Sequence, residues 1–124
     1  MDSENRNQLI KHTNRLLEMN QYAEDIYLNH TRTEGYEVDF FGLVKPFAEE
    51  AKVVSEEWLP LAEELVKEHN PKDLHANQLV QTVDNFEVVA IKSFYPKTSR
   101  KTQIETFKAV DYVLRQVEDL LKTE

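Results

Sequence analysis

The chain has no cysteine and only two glycines in 124 residues. The first absence rules out disulfides, thiolate zinc sites and cysteine nucleophiles, and it is compatible with a reducing compartment. The second leaves too little glycine for a phosphate-cradling loop, and there is no Gly-x-Ser-x-Gly elbow to expose a serine nucleophile. No run of about 18 apolar residues occurs, so no transmembrane helix is expected. The opening Met1-Asp2-Ser3-Glu4-Asn5 is polar and acidic and does not read as a secretory signal. Positive charge is also scarce: 15 Lys and Arg face 23 Asp and Glu, a formal net charge of -8. A field of that sign disfavours nucleic acid and anionic membranes, and neither is expected as a partner. Repeats and low-complexity tracts are missing. The expectation is one cytoplasmic domain over residues 1–124, long enough to bury its own core.

What the chain has in abundance is helical rhythm. Phe47, Ala51, Val54, Trp58, Leu61 and Leu65 step by alternating fours and threes, which keeps one side of a helix apolar. Leu9, Thr13, Leu16, Asn20, Ala23 and Tyr27 keep the same rhythm, with two polar members. Leu79, Thr82, Phe86 and Val89 form a third stripe, and Phe107, Val110, Leu114, Val117 and Leu121 a fourth. The positions between are mostly Glu, Lys, Asn, Gln and Asp, as solvated faces require. Four stripes with short connections predict an all-α, up-and-down antiparallel four-helix bundle. The helices are expected at 3–31, 43–69, 71–95 and 99–122. Asn70-Pro71 reads as the cap and first turn of the third helix, Tyr95-Pro96 as its stop, and Thr98 or Ser99 as the cap of the fourth. Pro60 falls inside the second stripe. It removes a hydrogen bond to Glu56, so a kink is expected there. Two readings stand: a bend that wraps the core, or a local opening beside Trp58 that admits a ligand.

A bundle is a scaffold, and activity would live in a site grafted onto it. The Glu-x-x-His motif of di-iron bundles is absent, because Leu9, Tyr27, Val66 and Lys72 stand three residues before the histidines. A looser metal site remains: His12, His69 and His75 fall toward one end of an antiparallel bundle, and three imidazoles would suit zinc or another divalent ion. The competing reading is three surface or helix-end histidines. The pairs Glu49-Glu50, Glu56-Glu57 and Glu63-Glu64 recur along the second helix and read as a solvated acidic face. Asn20, Thr13 and Thr82 interrupt the apolar stripes, either as devices that fix helix register or as the lining of a polar cavity.

The opposite end carries the most unusual local chemistry. The 32–42 connection and the 95–100 turn should meet there. They bring Tyr36, Phe40, Phe41, Phe94 and Tyr95 beside Arg32, Lys97, Arg100 and Lys101. Aromatics beside cations could receive an acidic peptide or a phosphate. The alternative is a hydrophobic plug with solvated basic residues around it.

The stretch Ser93-Phe94-Tyr95-Pro96-Lys97-Thr98-Ser99-Arg100-Lys101, followed by Val110-Asp111-Tyr112-Val113-Leu114, resembles the YppE-like family of small Bacillus-type proteins. So does Val44-Lys45-Pro46-Phe47-Ala48 leading to Glu57-Trp58-Leu59-Pro60-Leu61. The likeness runs over nearly the whole chain. It implies an all-helical up-and-down bundle in the bacterial cytoplasm. It implies no catalytic or binding residue.

The expectation for function is a binding module that contacts a protein partner through Tyr36, Phe40, Phe41, Tyr95, Lys97, Arg100 and Lys101, with no cofactor and no catalysis. The rival is a metal- or small-ligand-binding bundle using the His12, His69 and His75 end. The protein is expected as a monomer or as a homodimer built on a helix face, to which Tyr22, Leu59 and Val113 would add apolar surface.

Overall fold

The computed structural model describes residues 1–124 and contains four helices and no strand. Helix α1 spans Ser3–Ile26 and closes in a π-turn, Tyr27–Thr31. A second π-turn, Phe40–Val44, leads into α2, Lys45–His69. Helix α3 spans Ala76–Lys92 and α4 spans Arg100–Lys122. Each helix packs on its two neighbours in the ring α1–α2–α3–α4, and the diagonal pairs barely touch. Short connections after α2 and α3 make the neighbours antiparallel, giving the up-and-down bundle that the four stripes predict. No helix is long and apolar enough to cross a membrane.

Local chemistry sets most of the helix ends. The Asp2 side chain accepts from the Asn5 N–H at 2.7 Å and caps α1. Ser99 does the same for α4, accepting from Thr102 at 3.2 Å. The start of α3 differs from expectation. Asn70 does not begin a helix; it ends α2 in the left-handed conformation, with φ 45°. Pro71 therefore lies in a linker, whose Leu74 is buried in the core. Helix α3 starts after His75, whose N–H donates to the Gln78 side chain at 2.7 Å. It also ends at Lys92, ahead of the expected 95, because residues 93–95 turn toward the 95–100 connection.

The core takes the expected stripes of α1, α3 and α4 whole. Trp58, Tyr27, Phe86, Phe94 and Phe107 are its largest fully buried side chains. Side chains of this size contribute about 1.5–3 kcal/mol each when removed from water. The polar members of the stripes are tied down. Trp58 Nε1 donates to Thr13 Oγ1 at 3.1 Å, linking α2 to α1. Asn20 Nδ2 donates to the Phe107 carbonyl at 3.0 Å, linking α1 to α4. Thr82 Oγ1 donates to the Gln78 carbonyl one turn back, at 2.8 Å. The first two bonds cross defined helix pairs, as a register device requires; the Thr82 bond stays within α3, and Asn20 Oδ1 is buried without a partner.

Helix α2 runs unbroken through Pro60. Both Pro60 and Glu56 are exposed, so the carbonyl that loses its partner lies on the water side. The opening beside Trp58, one of the two readings of Pro60, is not formed. The gap lined there by Leu16, Ser55, Trp58 and Phe86 admits no water molecule, and Trp58 itself is fully buried.

Candidate interaction surface

The aromatic end is largely a plug. Phe94 is fully buried and meets Phe47 edge to face, with ring centroids 5.4 Å apart. Phe47 in turn stacks on Tyr22 at 5.8 Å. Beneath them Tyr27 packs on Phe107 at 6.0 Å. The residues just past α3 cannot bond within a helix, so other elements satisfy them. Thr31 Oγ1 donates to the Ser93 carbonyl at 2.8 Å. Tyr36 Oη donates to the Phe94 carbonyl at 2.8 Å. Gln103 Nε2 donates to Ser93 Oγ at 2.9 Å. The Tyr27 hydroxyl accepts from Thr98 Oγ1 at 3.0 Å and from Arg32 at 3.2 Å, and the Arg32 guanidinium lies 5.6 Å from the Tyr27 ring centroid.

This geometry divides the residues singled out in the sequence. Tyr36 is half-buried and spends its hydroxyl on backbone, so it tethers the 32–39 loop rather than facing a partner. Tyr95 is half-buried as well. Phe40 and Phe41 remain outside, 46% and 79% exposed, with rings edge to face at 5.1 Å. Asp39 holds their turn by accepting from the Gly42 N–H at 2.9 Å, and a Cβ at Gly42 would collide with that carboxylate. Lys97, Arg100 and Lys101 are exposed and form no ion pair or side-chain hydrogen bond. The structure thus leaves two phenylalanines and three cations free at this end.

Phe40 also forms one end of an open groove of about 430 Å³ between α2 and α3. Its floor is apolar: Val44 from the π-turn, Ala48 and Ala51 from α2, and Val83, Ala90 and Ile91 from α3. Small residues explain the space. Ala48, Ala51 and Ser55 face α3 where larger side chains would fill the seam. Lys45, Glu49, Lys52, Glu56 and Glu87 line its rim. Sequence reasoning missed this groove. Its one signal was the run of small residues at Ala48, Ala51 and Ser55, which an apolar-stripe count treats as ordinary core.

The histidines do not come together. His12 is buried on the α1–α2 seam, with Nε2 3.3 Å from Glu57 Oε2. His69 Nε2 lies 3.2 Å from Glu124 Oε1. His75 is exposed at the start of α3. No cluster of three or more His, Asp or Glu side chains could hold a metal ion. The shared-end expectation fails because His12 lies more than two turns inside α1, and because the Pro71–His75 linker sets His75 apart from His69.

One charged pair on the flank is well organised. Arg15 of α1 forks onto Glu50 of α2, with its Nη2 donating to Oε1 at 2.8 Å and its Nε to Oε2. The hydrogen bond from Arg15 holds the Glu50 carboxyl below the usual carboxylate range, against a smaller opposing effect of burial. The same bond raises Arg15 further.

Residues 13–121 match a bacterial domain of unknown function, DUF1798, and the chain belongs to that family. It is 28% identical over 116 residues to the uncharacterized protein YppE of Bacillus subtilis (strain 168), covering 94% of each chain. The crystal structure of yppE from Bacillus subtilis superposes with a TM-score of 0.87 at 27% identity, covering 99% of this chain and 97% of that one. A Listeria innocua protein of unknown function superposes with a TM-score of 0.86 at 31% identity, covering 96% and 94%. The YppE-like resemblance read from the sequence and the helical fold both stand on these matches.

Proposed function

We propose that this member of the family is a cytoplasmic binding module that takes an apolar segment of a protein partner and performs no chemistry of its own. The observation that carries the reading is the α2–α3 groove with Phe40 at one end and the exposed Phe41 ring packed edge to face on Phe40. An open apolar floor beside two exposed aromatic rings is the kind of surface that helix-in-groove recognition uses. The free Lys97, Arg100 and Lys101 stand at the same end of the bundle and add a positive edge to an otherwise acidic molecule. That edge favours a partner whose apolar segment is flanked by acidic residues. The histidine-bearing end supports no second reading, since its side chains are dispersed.

The test compares Phe41→Asp, Ala48→Trp and the pair Arg100→Glu with Lys101→Glu. Proteins captured from the native host by wild type are quantified against each variant. Phe41→Asp and Ala48→Trp should each reduce capture at least about tenfold, and the charge pair less. Thermal unfolding should move little, because Phe41 is exposed and Ala48 faces the open groove. Equal capture by wild type and Ala48→Trp would overturn the reading.

A further inference from the structure

The outward face of α2 carries a pattern that the fold does not use. It reads Lys45, Glu49, Lys52, Glu56 and Pro60, preceded by Phe41 of the π-turn, all exposed. The four charged members line the rim of the groove and alternate in sign. Phe41 is the most exposed large hydrophobic residue of the molecule. The alternation supports some pairing within the helix, where Lys45 Nζ lies 4.0 Å from Glu49 Oε1. That local role gives no reason for an exposed aromatic at one end of the stripe and an exposed proline near the other.

Run against itself in the opposite direction, the stripe is its own complement. Lys45 of one copy then stands opposite Glu56 of the other, Glu49 opposite Lys52, and Phe41 opposite Pro60. Run in parallel and in register, every charge meets its like. A two-fold interface always presents the same patch on both sides, so a self-complementary antiparallel pattern fits it. We infer that a second copy of this chain docks on the α2 face by antiparallel α2–α2 pairing. The inference rests on the reading of the α2–α3 groove as part of an interaction surface and assigns the charged rim on α2 to a second copy, leaving the apolar floor to the partner segment. One helix pair covers less than the ~1,600 Å² of a standard interface, so the dimer is concentration-dependent. Opposite charges set its direction, and the apolar ends supply most of its affinity.

The test is sedimentation velocity from micromolar to millimolar protein. Lys45→Glu with Lys52→Glu makes the stripe wholly acidic, and Glu49→Lys with Glu56→Lys makes it wholly basic. Wild type should dimerise, and each variant alone should dissociate at least about tenfold more readily. An equimolar mixture of the two variants should restore the dimer, which shows that both are folded. Wild type that stays monomeric throughout, or a mixture that does not recover, overturns the inference. If wild type is monomeric while Phe41→Asp still loses its captured partner, the dimer fails and the binding reading survives. If the dimer forms and is rescued while Phe41→Asp and Ala48→Trp keep full capture, the binding reading alone fails.

Discussion

The two ends of this bundle are closed by different chemistry. At the aromatic end Phe94 fills the opening, and Thr31, Tyr36 and Gln103 bond to groups of Ser93 and Phe94 just past the end of α3. At the histidine end the contacts are polar and only partly buried: the Met1 ammonium reaches Glu68 at 2.7 Å, and His69 Nε2 lies 3.2 Å from Glu124 Oε1. Buried hydrogen bonds cost their full desolvation penalty when one partner is removed, whereas exposed ion pairs are worth little. A helix end can therefore be locked by polar groups only where apolar side chains first exclude the water.

The sharpest way to break this contrast is to truncate one side chain at each end. Phe94→Ala empties a fully buried site and should cost about 3–5 kcal/mol. His69→Ala removes one partner of a partly exposed polar contact and should cost under about 0.5 kcal/mol. Chemical denaturation of both variants measures the difference. Comparable losses would mean that the two ends are closed alike. Next in size is Thr31→Val, which keeps the shape but leaves the Ser93 carbonyl without its donor. It should cost about 1–3 kcal/mol, read as a lower denaturation midpoint at unchanged slope. A loss below about 0.3 kcal/mol would show that water reaches that carbonyl, a result outside the range expected for a buried group.

The sequence made the aromatic end visible as a cluster but could not divide it. Phe94 and Phe41 look alike in the chain, yet one is fully buried and the other 79% exposed. The difference arises from the π-turn at Phe40–Val44, which turns Phe41 outward, and no periodicity encodes that. The stripes of α1, α3 and α4 could be read residue by residue because each buries every member. In α2 the buried face moves from Ala51 and Trp58 to Ala62, Leu65 and Val66, leaving Phe47, Val54 and Leu61 half-buried. The same four-three spacing buries every member in α1 and α4, so the shift belongs to how α2 packs and not to its spacing. The groove was hidden for a related reason. Its walls come from α2 and α3 together, and the space between them is a property of fit rather than of either stripe.

The smallest expected effect lies between the two ends, at Arg15–Glu50, and it sharpens the contrast by asking whether a well-aligned surface pair behaves like the buried end or the exposed one. Glu50 is held below its usual value of 4.5 by the hydrogen bond from Arg15. A carboxyl with a depressed folded value stabilises the protein above its unfolded value, and that contribution disappears as the pH falls through the folded one. The stability difference between wild type and Glu50→Gln should therefore be constant from neutral pH to about 4.5 and shrink below it. Both side chains are about two-fifths exposed. Solvent screening then limits the plateau to about 0.2–1 kcal/mol, and added salt should lower it further. Urea denaturation of the two proteins from pH 7 to pH 3 would measure it. A plateau above about 2 kcal/mol would place this pair with the buried bonds of the aromatic end, since exposed pairs do not reach that size. A flat difference with pH, down to the lowest value measured, would mean that Glu50 acts through packing and not through its charge.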